Sequence, residues 1–116
     1  MSNYMLARLK LRYGVSNLPR YDEAMKSVRA FFESEGVMLK HALVTTIGPL
    51  YEVWNLWEID DHAHFARAVS RLRDETVYAR HSQALTTLGE IVVEEDLSLL
   101  ETMPFFAAGA SAGRGD

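Results

Sequence analysis

The stretch Thr45-Thr46-Ile47-Gly48-Pro49-Leu50-Tyr51-Glu52-Val53-Trp54-Asn55-Leu56-Trp57-Glu58-Ile59 decides the fold. From Tyr51 onward it alternates. Tyr51, Val53, Asn55, Trp57 and Ile59 share one side of an extended chain, and Glu52, Trp54, Leu56 and Glu58 the other. Before it, Val37 to Ile47 is rich in Val, Leu and Thr and reads as a second strand. Gly48-Pro49 is a turn signal between them. Two strands joined so briefly pair as an antiparallel hairpin.

Outward from the hairpin, Tyr4 to Tyr13 alternates as well. Met5, Ala7, Leu9, Leu11 and Tyr13 face one way, and Arg8, Lys10 and Arg12 the other, with Gly14 as the stop. Pro19 suits the first turn of a helix, where its missing N–H costs nothing. Tyr21, Ala24, Met25, Val28, Phe31 and Phe32 follow at helical spacing, and Gly36 ends the run. After the hairpin, Asp60 or Asp61 suits a helix N-terminus, with His62, Phe65, Val69 and Leu72 on its apolar stripe. Asp74 is placed to cap another helix, whose apolar side is Val77, Tyr78, His81, Ala84, Leu85 and Leu88, with Gly89 as its end. Ile91 to Met103 is the last strand, and Glu94-Glu95-Asp96 suggests that it begins only near Asp96.

The order β-α-β-β-α-(α)-β predicts an α+β, ferredoxin-like domain: a four-stranded antiparallel sheet with helices on one face. Such a sheet leaves its second face uncovered, either the one with Tyr4, Trp54 and Leu56 or, alternatively, the Trp57 face. A contiguous aromatic face usually marks an interface, so two copies packed sheet to sheet are expected. Residues 1–106 form the single domain, and 107–116 are expected to be a flexible Gly/Ala tail ending in Arg114-Gly115-Asp116. With 116 residues there is room for one domain only.

Composition narrows the function classes. Twelve basic and 16 acidic residues give a net charge of -4, which provides no field for nucleic acid. No apolar run is long enough for a membrane span, and no signal-peptide pattern is present. The absence of cysteine excludes disulfides, thiolate metal sites and Cys nucleophiles, and fits a cytoplasmic protein. His62 and His64 lie two apart on a predicted helix and point to different sides, so Asp60-Asp61-His62-x-His64 is read as a cap and not as a metal site. No phosphate loop or nucleophile elbow occurs, and no cofactor is expected.

The block from Thr45 to Trp57, the acid-capped helix after it, the restart at Asp74 and the closing Leu99-Leu100-x-x-Met103-Pro104-Phe105 resemble the NIPSNAP family over residues 4–106. The resemblance implies a dimeric α+β barrel, and implies no single chemistry. It also has departures: Met5, Ala7 and Leu9 stand where many members alternate Glu, Arg and Tyr, and Ala107 follows Phe106 where the family usually has Ser.

Three polar side chains stand out. His81 sits on an apolar helix stripe, suited to acid/base work or to haem ligation. Asn55 is an amide on the strand face of Val53, Trp57 and Ile59, and if that face is the buried one it must be satisfied by something. His41, read on the face of Leu39 and Leu43, would lie near Asn55 across the hairpin. His41 and His81 are the candidate catalytic residues, and Asn55, Trp57, Tyr51 and Tyr78 the candidate ligand contacts. The leading expectation is a pocket between sheet and helices that binds or transforms a small apolar or aromatic metabolite by cofactor-independent acid/base chemistry. The alternatives are a non-catalytic dimeric interaction module and a haem-binding protein.

Overall fold

The computed structural model describes residues 2–107. Arg114-Gly115-Asp116, and the predicted tail beyond Ala107, lie outside the described residues. The elements run β1 (Asn3–Leu11), α1 (Asn17–Ser34), β2 (Met38–Val44), β3 (Glu52–Ile59), α2 (His64–Arg71), α3 (Glu75–Ile91) and β4 (Val92–Glu101). The sheet order is β2-β3-β1-β4, and every neighbouring pair is antiparallel. This is the expected ferredoxin-like arrangement. β1 and β3 take the two central places because both carry the strict period-two pattern that a half-buried strand needs.

The helix-covered face carries Met5, Ala7, Leu9 and Leu11 from β1 and Val53, Asn55, Trp57 and Ile59 from β3, all buried. Phe31 and Phe32 of α1, Phe65 and Ala68 of α2, and Val77 and Ala84 of α3 close over Met5 and Trp57. The Phe32 ring lies 5.3 Å from both Trp57 and Phe65, so aromatic packing fills the interior there. A second cluster joins Leu9, Leu11, Val53, Tyr21 and Ile91 at the other end.

Several element ends depart from expectation. β1 stops at Leu11, and Tyr13 is 85% exposed with its ring 5.1 Å from that of Tyr51. α1 begins two residues before Pro19, where Asn17 is buried and its amide donates to the Arg12 carbonyl at 3.0 Å. α2 starts at His64, so the inward histidine is His64 and not His62, which is exposed. Asp61 does act at this end, accepting from the Ala63 N–H at 2.9 Å. Asp74 caps α3 as expected, accepting from the N–H groups of Thr76 and Val77. Gly89 does not end α3, which runs on to Ile91. Gly89 has open space where a Cβ would stand and keeps an ordinary helical backbone. β4 begins at Val92 and pairs with β1 straight through Glu94, Glu95 and Asp96. Edge position explains this: those acids face solvent, and Asp96 meets Arg8 at 2.5 Å.

Candidate functional site

The sequence-predicted site residues do not converge. His41 is exposed and lies on the open face of the sheet, opposite Leu56. The cause is a register shift between Leu39 and His41. Leu39 pairs with Trp57 on the covered face, and the extra residue, Lys40, turns His41 and Leu43 to the other side. Asn55 remains on the covered face, so the sheet itself separates the two.

His81 faces neither of them. It lies in a groove between α1 and α3 whose lining comes from the two helices alone, including Arg20, Glu23, Ser27, Arg80 and Thr87. Its Nδ1 is 2.6 Å from the Ser27 hydroxyl, and its ring packs edge-on to Phe31 at 5.5 Å. Trp57 is 3% exposed and is core. Tyr78 is exposed and borders a shallow apolar recess with Val69, Leu72 and Leu85. Tyr51 is half-buried at the hairpin and holds a left-handed backbone, φ 63. That is an uncommon state for a tyrosine.

Asn55 has a different partner, which reading the sequence missed. Its Nδ2 donates to the Tyr21 hydroxyl at 2.7 Å, and both residues are buried. Tyr21 was legible as part of the apolar stripe of α1. Its polar tip, an O–H that burial obliges to find a partner, was the signal for more. Burial pushes the Tyr21 phenol above its ordinary value, and the Asn55 bond partly offsets this. The hydroxyl is therefore protonated throughout the neutral range.

The pair borders a cavity of about 390 Å³ between the start of α1 and the β2–β3 hairpin, lined among others by Leu18, Pro19, Ala42, Val44 and Val53. Neither polar group is exhausted. Asn55 keeps its carbonyl oxygen, and Tyr21, which accepts from Asn55, keeps its proton to give. If the amide is turned over, the pair still retains one donor and one acceptor. Among the described residues no group of three or more metal-ligating side chains comes together, and no helix is long and apolar enough to cross a membrane.

No family model and no curated protein matches the chain. Solved structures do. A NIPSNAP family protein of unknown function from Agrobacterium tumefaciens is similar with a TM-score of 0.75 and 17% identity, over 90% of this chain and 90% of that one. A dimeric protein of unknown function with a ferredoxin-like fold, from Bacteroides fragilis, is similar with a TM-score of 0.62 and 15% identity, over 87% of this chain and 96% of that one. SnoaB, a cofactor-independent oxygenase from Streptomyces nogalater, is similar with a TM-score of 0.58 and 17% identity, over 89% of this chain and 97% of that one. The NIPSNAP resemblance drawn from residues 4–106 thus meets a likeness of structure that covers about 90% of the chain: the chain has the ferredoxin-like fold of solved NIPSNAP family proteins.

Proposed function

We propose that this chain is a NIPSNAP-like homodimeric protein of the cytoplasm that binds a small apolar or aromatic metabolite in the cavity beside Tyr21 and Asn55. It acts on that ligand by proton control, without a bound cofactor. The observation that carries this reading is the 2.7 Å Asn55–Tyr21 bond, buried at the wall of an apolar cavity with a donor and an acceptor to spare. Mostly apolar walls with a few fixed polar groups are the usual make-up of a small-molecule site.

The pair suits a ligand oxygen that is a ketone, an enol or a phenol. Tyr21, kept protonated by burial, donates to that oxygen and stabilises negative charge as it develops there. The Asn55 carbonyl accepts from a neighbouring hydroxyl. SnoaB, similar in fold, is an oxygenase that needs no cofactor. Two neutral hydrogen-bonding groups beside an apolar cavity fit chemistry of that economical kind. The histidines contribute nothing to this cavity, so the acid/base role passes from His41 and His81 to Tyr21.

Titration with 1-naphthol, an aromatic hydroxyl probe, followed by intrinsic fluorescence, tests the site. Saturable binding is expected, weakened about tenfold in Tyr21→Phe and in Asn55→Ala, as loss of one buried hydrogen bond implies. No saturation, or an affinity in both variants unchanged from that of the native chain, contradicts the reading.

A second reading has its own observation. Tyr13, Val15, Ile47 and Leu50 are all more than half exposed, in the β1–α1 loop and at the β2–β3 turn. An apolar end of that sort suits a protein-binding module, and it gains ground if naphthol fails to bind.

A further inference from the structure

The groove between α1 and α3 has a different chemistry from the cavity beside Tyr21. It measures about 360 Å³ and is lined by Arg20, Arg80, His81, Ser27 and Thr87, with Glu23 as the only carboxylate among the described residues that line it. The charges around it do not cancel. Arg20 is held by Glu90 at 2.6 Å, and Glu23 is held by Lys26 at 2.9 Å. Arg80 makes no ion pair among the described residues, so the lining carries one uncompensated guanidinium.

The imidazole beside it is held in place. Ser27 bonds His81 Nδ1 at 2.6 Å, and Phe31 packs on the ring, so the orientation is fixed from two sides. The contact uses Nδ1 and leaves Nε2 without a protein partner among the described residues; in the tautomer in which the Ser27 hydroxyl donates to Nδ1, Nε2 carries the proton and is a donor. Arg80, His81 and Thr87 of α3 all line the groove, so the guanidinium, Nε2 in that tautomer and the Thr87 hydroxyl are the donors available to it. A planar carboxylate has two oxygens, both of which one bidentate guanidinium engages. A tetrahedral group with several oxygens can use donors spread along two turns of helix, and a guanidinium fork suits it.

We propose that this groove is an oxyanion site that takes the phosphate group of a small phosphorylated ligand, held by Arg80, the Ser27-oriented His81 and Thr87. The site is separate from the Tyr21–Asn55 cavity and does not depend on it.

The test is an NMR titration of the full chain with inorganic phosphate, following the imidazole signals of His81 and His64. A saturable shift of the His81 signal is expected while His64, buried elsewhere, stays still. Arg80→Gln should weaken phosphate binding about tenfold, and Ser27→Ala should weaken it by a smaller factor. Arg80 is exposed, and an unmoved His64 signal verifies that the variant is folded. No saturable shift overturns the proposal. So does an equal shift with sodium chloride at matched ionic strength, or unchanged affinity in Arg80→Gln.

Discussion

Tyr21 and Asn55 show how far single residues can be read. The alternation of β3 puts Asn55 on one face with Val53, Trp57 and Ile59, and an amide there demands a partner if that face is buried. That much follows from residues 51–59. The partner comes from α1, 34 residues earlier, and which helical position overhangs Asn55 depends on how α1 crosses the sheet. No local pattern encodes that crossing. Tyr21 also carries a pH signature. Its folded value is raised above the ordinary 10.0 mainly by burial. The neutral phenol is thus favoured by the fold. The associated stability is complete below about pH 10 and is lost as pH climbs through the folded value. In an alkaline titration read by tyrosinate absorbance, one of the five tyrosines should ionise after the rest. Tyr21→Phe should remove that late fraction. Simultaneous ionisation of all five contradicts the burial.

At the scale of elements, the misreadings have physical causes. The bulge at Lys40 reverses His41 because a strand's side chains have a period of two, and one added residue exchanges the faces. Edge strands tolerate such bulges, and β2 lies at an edge. Gly89 has the composition of a helix stop, but only a positive φ uses glycine's freedom. Gly36 has one, at φ 82, and does end its helix region. A Cβ on Gly36 would also come within 3.4 Å of His64 Nε2. His64 fastens these elements together. Its Nδ1 accepts from the Asp60 N–H at 2.8 Å, and its Nε2–H donates to the Glu35 carbonyl at 2.8 Å. The end of β3, the start of α2 and the end of α1 therefore meet at one buried ring. His64→Ala leaves both backbone groups unpartnered beside a void. A loss of about 2–4 kcal/mol is expected from the shift in denaturation midpoint. A loss below about 0.5 kcal/mol, the range of a neutral surface substitution, contradicts this role.

At the scale of the whole molecule, element order sufficed to anticipate the sheet. Strand order β2-β3-β1-β4 is the arrangement a split βαβ chain of this length reaches with its helices on one side. The same topology leaves the other side bare. Tyr4, Leu6, Trp54 and Leu56 lie half-buried there, and Leu43 and Leu100 are exposed, among charges such as the Arg8–Asp96 pair. One fold relative is dimeric. In the proposed homodimer the two faces divide the labour. The open face joins two copies, and the helix-covered side keeps the small-molecule cavity free. Sedimentation at micromolar concentration measures this division most directly. Twice 13.1 kDa is expected for the native chain, falling to 13.1 kDa in Leu56→Arg, which places a charge in the centre of the open face. A native chain that sediments as a monomer would contradict the sheet-to-sheet pairing.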